Sequence, residues 1–352
     1  MSVQSEIRAW LQELDHPGAP TIRAQQVRAG VAVGLSGGAD SLALVHGLLR
    51  CDIPVHAVVV DHQLQEGSAD IACKAAETAC TLGATAEIRT VDVDGAGEGP
   101  AREARYRALG AAAAGRPLLV AHTADDDAEG VLIGLVRGSG AEAIAGMRAV
   151  HTDHAAVAAG AAWLGRPLLR CTRKQTEAEC RSVGVQWWED PHNYSNAYLR
   201  SRIRTQVLPF LHDALGEHFG ANVARTARML REDVELLNAL AERELAVAEK
   251  GASLNCAELQ RHPAALRRRI VRRWLTDKTG PLTSSHLKAI DALVMAWKGQ
   301  GGTAVPWPVE GALEESPGGV PGSPTMNEKR RTHRLVVRRC EGYLQLATVP
   351  RS

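Results

Sequence analysis

The residues best suited to chemistry gather first in Val31-Ala-Val-Gly-Leu-Ser36-Gly37-Gly38-Ala39-Asp40-Ser41-Leu-Ala-Leu. An apolar run enters Ser-Gly-Gly, and a helical pattern opens at Asp40-Ser41. Gly37 and Gly38 allow a tight turn whose N–H groups, Ala39's among them, face an anion. The helix start adds unbonded N–H groups and a partial positive charge. Ser36 and Ser41 frame the glycines with hydroxyl donors. This is a seat for phosphate. Asp40 is the odd member, because a carboxylate beside a phosphate repels it. Either a Mg²⁺ ion sits between the two, or Asp40 caps the helix. The P-loop pattern G-x-x-x-x-G-K-[ST] is absent.

Three more segments carry candidates. In Ala101-Arg102-Glu103-Ala104-Arg105-Tyr106, the two arginines are three apart and share a helix face. A solvated charged face is the alternative there. In His122-Thr-Ala-Asp125-Asp126-Asp127-Ala-Glu129, four carboxylates crowd a helix start. Capping against the helix dipole is one use for them. Their mutual repulsion favours a Mg²⁺ role for one or two. In Trp188-Glu189-Asp190-Pro191-His192-Asn193…Tyr198-Leu-Arg200-Ser-Arg202-Ile-Arg204, three arginines alternate near a helix start and need an anion or acidic neighbours.

The elements that must hold these residues follow from periodicity. Val31–Leu35, Val55–Val60, Ala86–Val91 and Leu118–Ala121 read as buried parallel strands. Helical spacing fills Ser41–Arg50, Ala69–Leu82 and Ala101–Ala114. Such alternation predicts an α/β fold, a doubly wound and mostly parallel sheet with helices on both faces. Ligands of such sheets bind beyond the carboxyl ends of the strands, where Ser36 and His122 fall. After Gly138 the pattern loosens into an Ala/Gly-rich stretch at 155–166, then Arg166-Pro-Leu-Leu-Arg170, then a helix near Lys174–Val183. Tyr198–Leu208 reads as a helix stopped by Pro209. Residues 218–300 look helical, without good strands. The 306–333 stretch is dense in Pro and Gly, and Arg334–Arg339 with Tyr343–Val349 suits a terminal hairpin. The expected domains are 1–215, 216–303 and 304–352.

Composition narrows the class. Aromatics are only 4%, so the core must rest on Val, Leu, Ala and Ile. Net charge is +1, so any polyanion site must be a local basic patch. The candidate patch is one helix crowded with arginines, Arg267, Arg268 and Arg272 among them. Leu266, Ile270, Val271 and Trp274 form its expected buried stripe. A merely solvated face is the alternative. Seven cysteines form no C-x-x-C pair, which argues against a disulfide framework, zinc or an iron–sulfur cluster. No apolar run reaches ~18 residues, and the N-terminus lacks a signal pattern. The expectation is a cytoplasmic protein without a membrane segment.

The Ser36–Ser41 loop resembles the S-G-G-x-D-S loop of N-type ATP pyrophosphatases, which grips the β- and γ-phosphates and cleaves ATP to AMP and pyrophosphate. Over about residues 27–215, the segments in this order resemble the tRNA(Ile)-lysidine synthase family. That similarity includes Val58–His62 as V-x-V-D-H. It matches the family's H-x-x-D-D-Q-x-E-T, R-G-S-G, E-D-x-S-N, R-N-x-[IL]-R and V-L-P stretches at His122, Asp125, Asp126, Glu129, Arg137–Gly140, Glu189, Asp190, Asn193, Arg200, Arg204 and Val207–Pro209. It departs at Asp127 (Gln is usual), Gly130 (Thr), His192 (Ser) and Ser201 (Asn).

The resemblance implies an adenine-nucleotide alpha-hydrolase-like fold followed by a helical, tRNA-binding domain, in which Arg267, Arg268 and Arg272 would contact the tRNA. It implies ATP and Mg²⁺, free L-lysine, and a tRNA(Ile) bearing a CAU anticodon. ATP adenylates the C2 oxygen of the wobble cytidine, and lysine then displaces AMP. Ser36, Gly37, Gly38, Ala39, Asp40, Ser41 and His122 would hold ATP. Asp40 and Asp126 would hold Mg²⁺, while Arg105 and Arg204 offset charge on phosphate or base. Arg102, Asp125, Glu189 and Arg200 would face the substrates, with Asp125 or Glu189 on the lysine ammonium. A tRNA-thiolation enzyme, which usually carries cysteine pairs, and an inactive nucleotide-binding homologue are the rivals. Oligomeric state stays open, a homodimer included.

Overall fold

The computed structural model describes residues 2–15, 22–63, 67–92, 98–138, 140–189, 199–308 and 330–351. The chain divides into two compact units, residues 1–137 with 143–229, and residues 138–142 with 230–352.

The first unit opens with α1 (Val3–Leu14) and α2 (Ile22–Ala29). It then alternates β1 (Val31–Leu35), α3 (Ala39–Leu49), β2 (Val55–Asp61), α4 (Ser68–Leu82), β3 (Thr85–Thr90), α5 (Glu98–Ala113), β4 (Leu118–Leu119) and α6 (Ala124–Arg137). The shorter α7 (Ala141–Ile144), β5 (Val150–His151), α8 (Ala155–Ala158) and β6 (Leu164–Gly165) follow, then α9 (Arg173–Ser182). α10 (Leu199–Arg202) runs through a π-helical segment, Ile203–Val207, into α11 (Leu208–Leu215).

The sheet order is β3-β2-β1-β4-β6-β5. β1 pairs in parallel with β2 and β4, β2 with β3 and β4 with β6, while β5 runs antiparallel at one edge. The expected mostly parallel sheet is therefore present. β1 and β2 bury most of their residues, since helices cover both faces. β3, expected to be buried, is mostly exposed and buries no residue, because it is the other edge. β4 is shorter than expected, yet Val120 continues the ladder by donating to the Gly165 carbonyl at 3.0 Å. The Ala/Gly-rich stretch holds α8 and β6. Its small residues serve close packing: a Cβ at Gly110 of α5 would lie 2.1 Å from the Ala156 oxygen of α8.

Strand order fixes where ligands enter. β1 continues into β2 on one side, while β4 lies on its other side, so the loops after β1 and β4 leave the sheet side by side at its topological switch point.

Pro209 does not end a helix, as its position in sequence led us to expect. It falls at the start of α11 within an unbroken helical run, and the π-helical turn Ile203–Val207 before it takes up the break that its missing N–H makes in the hydrogen-bond ladder. Tyr198 lies outside the described residues, as do 309–329 of the Pro/Gly-rich stretch.

α12 (Phe219–Ala248) carries the division of the chain between Met229 and Leu230, not at 215. Beyond it come β7 (Glu249–Lys250), β8 (Ser253–Asn255), α13 (Cys256–Gln260), α14 (Ala264–Leu275), α15 (Ser284–Met295), β9 (Thr303–Val305), β10 (His333–Cys340) and β11 (Tyr343–Pro350). The expected terminal hairpin exists as β10–β11, but it does not stand apart from the helices. It pairs with β8 and β9 in a five-stranded sheet ordered β7-β8-β11-β10-β9. β7, β8 and β9 are too short to show a strand period in sequence. Ile270, Val271 and Trp274 of α14 pack in one core with Leu254, Leu293, Val337 and Leu344. Among the described residues, no helix is long and apolar enough to cross a membrane.

Candidate active site

The phosphate loop lies between β1 and α3 as a strand–turn–helix. Gly37 takes a positive φ of 79°, which a side chain would oppose. Gly38, in extended backbone, is the N-cap of α3 and brings no side-chain cap to its first-turn N–H groups. Asp40 is inside the helix and not its cap, which removes that alternative. The Ser41 hydroxyl donates to the Gly38 carbonyl at 2.9 Å and accepts the Ser36 N–H at 3.2 Å, so it braces the turn. Trp188 donates its N–H to the Gly37 carbonyl at 3.0 Å. A cavity of about 420 Å³ opens here, lined by Ser36, Asp40, Ser41, Arg105, His122 and Trp188 above an apolar floor that includes Val58 and Leu109.

The carboxylates of α6 do not stand as a bare acidic cluster. Asp126 accepts the Thr123 N–H at 2.9 Å and its hydroxyl at 3.0 Å, and it pairs with Arg204 Nη2 at 3.0 Å. Burial opposes its ionisation, yet Arg173 and its other partners hold its carboxyl below the ordinary range. Glu129, fully buried, takes a two-point ion pair from Arg204 at 2.6 and 2.8 Å. Burial pushes its carboxyl up against that pairing. Arg200 approaches Glu129 at 3.9 Å. Arg173 spans the group, 3.6 Å from Asp40, 3.4 Å from Asp126 and 4.0 Å from Glu129. Thr176 donates its hydroxyl to Asp40, whose carboxyl burial raises to about 6.

Asp127 leaves this group altogether. It is buried and accepts the Met147 N–H at 2.6 Å, and Gly146 lies so close that a Cβ there would sit 2.7 Å from its Oδ2. The expected repulsion among four neighbouring carboxylates is therefore corrected: successive helix residues point about 100° apart. Asp125 turns to α9 and accepts the Arg173 N–H at 2.7 Å.

Arg102 and Arg105 do share a neighbour. Their guanidiniums lie 5.0 and 5.5 Å from the ring centre of buried Tyr106. Arg105 reaches the cavity wall. His122 accepts the Nε–H of buried Arg166 on Nδ1 at 3.0 Å. Burial holds its imidazole well below the ordinary histidine range, so the neutral ring keeps its proton on Nε2. Glu189 is exposed, and Asp190, His192 and Asn193 lie outside the described residues.

The basic helix needs a correction. Arg267 is buried, its guanidinium is taken by Asp291 and the His262 carbonyl, and it cannot present itself to RNA. Arg268 pairs with Asp291 at 3.0 Å and Arg272 with Glu142 at 2.7 Å, both half exposed.

Sequence reasoning missed Arg173, Thr176 and Arg166. One signal was there for the first two: Thr172-x-x-Gln175 forms a capping box, which marks a helix start at Arg173.

Asp40 and Asp126 suit Mg²⁺. Their oxygens are the hard donors it takes, and it is commonly held by one or two carboxylates, with phosphates and water completing its shell. The two converge, since one guanidinium lies within ion-pair reach of both. Among the described residues no group of three or more His, Cys, Asp or Glu is gathered to hold a metal unaided.

With this geometry in place, the comparisons with known proteins fall into line. Residues 5–211 match the PP-loop domain family and 254–309 the TilS substrate binding domain. The first unit is thus a PP-loop, ATP-binding domain. The chain is 48% identical over 303 residues to the tRNA(Ile)-lysidine synthase of Nocardia farcinica, covering 85% of this chain and 89% of that one. It is 43% identical to that of Rhodococcus erythropolis, over 87% of this chain and 89% of the relative. Against the Mycobacterium tuberculosis enzyme of the same name, identity is 46% over 78% of this chain and 84% of the relative. The chain belongs to the tRNA(Ile)-lysidine synthase family.

Proposed function

We propose that this protein joins free L-lysine to C2 of the wobble cytidine in the CAU anticodon of a tRNA(Ile), forming a carbon–nitrogen bond while ATP becomes AMP and pyrophosphate. The observation that carries this reading is the strand–turn–helix at Ser36–Ser41 opening on one cavity with Arg105, His122 and Asp40. The N–H groups around Gly37, Gly38 and Ala39, with the start of α3, receive the terminal phosphates. Arg105 answers the charge that builds as pyrophosphate departs. Neutral His122 offers an Nε2–H donor to the nucleotide. Mg²⁺, held by Asp40 and Asp126, would add charge stabilisation there.

Adenylation turns the C2 oxygen into a leaving group, so a neutral amine displaces AMP without a protein nucleophile. The ammonium of lysine must be held and must lose a proton before attack. Asp125 or Glu189 is the carboxylate assigned to that ammonium, with Arg102 and Arg200 on the substrate side. Arg204 keeps Asp126 and Glu129 in place. The second unit, with Arg268 and Arg272, is assigned to the tRNA, where phosphate contacts position without reading sequence.

The test is incorporation of radiolabelled lysine into tRNA(Ile) transcripts with CAU and GAU anticodons, with pyrophosphate release followed in parallel. Lysine should enter only the CAU transcript, with one pyrophosphate per lysine. Sulfur incorporation in its place would favour a thiolation enzyme, and no reaction with either transcript would favour an inactive homologue.

A further inference from the structure

Three acidic side chains beside the phosphate loop have guanidinium partners without a metal, while a fourth, Asp125, is held by the Arg173 N–H. Asp40, Asp126 and Glu129 face Arg173, Arg200 and Arg204. The pairings are unequal. Arg204 is locked on Glu129 at 2.6 and 2.8 Å, whereas the Arg173 guanidinium stands 3.4 to 4.0 Å from each of its three carboxylates. Its main chain is fixed, because the Arg173 N–H donates to Asp125 at 2.7 Å in the first turn of α9. The side chain can thus pivot while the helix start stays. It is also 29% exposed, so leaving the carboxylates does not force it through a packed core.

We propose that Arg173 is an exchangeable counter-cation for the Mg²⁺ site: it neutralises Asp40 and Asp126 in the nucleotide-free protein and gives way when Mg²⁺ enters with the triphosphate. The proposal rests on the reading of Asp40 and Asp126 as metal carboxylates. Mg²⁺ alone would add two positive charges to carboxylates that already have guanidinium partners. With the triphosphate, the added charge is negative, and the guanidinium has phosphate oxygens to turn to. Metal and nucleotide therefore enter together, and Arg173 enforces that coupling.

The experiment titrates Mn²⁺, read by its electron paramagnetic resonance, into the full chain with and without α,β-methylene-ATP. Without nucleotide, Arg173→Met should bind Mn²⁺ about tenfold or more tightly than the unaltered protein, as removal of a unit charge about 4 Å away requires. Arg173→Lys, which keeps the charge, should bind as weakly as the unaltered protein. Adding Asp40→Asn to Arg173→Met should abolish the gain. Equal Mn²⁺ binding by Arg173→Met, Arg173→Lys and the unaltered protein overturns the exchange. With the nucleotide analogue, Mn²⁺ binding by the unaltered protein that Asp40→Asn removes upholds the metal-site reading, whatever becomes of Arg173. Binding that Asp40→Asn leaves intact overturns that reading, and the exchange with it.

Discussion

Arg204 and Glu129 meet in a two-point ion pair, Nε on Oε1 at 2.6 Å and Nη2 on Oε2 at 2.8 Å, with Glu129 fully buried. The π-helical segment Ile203–Val207 carries the arginine and α6 the glutamate, so the pair ties that segment to the helix that follows the His122 loop. Arg204→Ala leaves a buried carboxylate short of its main partner. The cost should be about 3 kcal/mol in urea unfolding. Arg204→Ala combined with Glu129→Gln should recover much of that stability while adenylation stays low. A double variant as unstable as the single one would show that the arginine stabilises through packing alone.

Asp40→Asn separates a chemical role from a structural one. The variant should fold and melt like the unaltered protein or above it at pH 7.5, since burial disfavours the Asp40 anion. ATP–pyrophosphate exchange should fall by at least about a hundredfold, the scale of losing a positioned metal ligand worth several kcal/mol. Near-normal exchange would remove Asp40 from the metal.

Asp127 makes the opposite kind of prediction. It serves the loop at Met147 and not the cation, so rate against free Mg²⁺ should be the same for Asp127→Asn and the unaltered protein. Gly146→Ala should destabilise by about 2–3 kcal/mol, because φ is +69° and the new Cβ would strike Asp127. A shifted Mg²⁺ curve for Asp127→Asn would return Asp127 to the metal site.

On the basic helix, Arg267→Ala should destabilise the second unit by about 3–5 kcal/mol, as loss of one partner of a buried pair does. Arg268→Ala with Arg272→Ala should leave folding near normal. They should flatten the salt slope of tRNA binding by about one unit per lost phosphate contact. An unchanged slope would confine both arginines to Asp291 and Glu142.

These outcomes also mark what was legible in sequence. The Ser36–Ser41 loop could be read because its turn, its donors and its flanking strand and helix are all local. Arg267 was misread although its spacing held the answer: it stands three, four and seven residues before Ile270, Val271 and Trp274, on the buried stripe itself. Asp127 was misread because a run of like charges in sequence fans out around a helix. The helix start at Arg173 could be read from the Thr172–Gln175 capping box, but its pairing could not, since Asp126 lies 47 residues away and nothing local says that they meet. β7 and β8 escaped because two- and three-residue strands have no period.

The last prediction concerns acid. Three histidines, His122, His151 and His154, sit near Arg166, and burial foremost, with nearby arginines adding to it, depresses all three. His151 falls to about 4; its ring is 22% exposed, with Asp153 as a weak opposing charge at 3.7 Å. In the unfolded chain a histidine titrates near 6.5. Between those values the unfolded state takes up more protons than the folded one, so stability must fall as pH falls. It is fully present above about pH 6.5 and is lost on the way down to about pH 4. For His151 alone the loss is on the order of 2–3 kcal/mol, from 1.36 kcal/mol per pKa unit. His151→Asn cannot take up the proton, so its stability between pH 7 and pH 4.5 should fall less steeply than that of the unaltered protein by that amount. The measurement is urea unfolding of both forms at half-unit pH steps. Parallel curves would mean that His151 titrates alike in the folded and unfolded states, and that the acid sensitivity lies elsewhere.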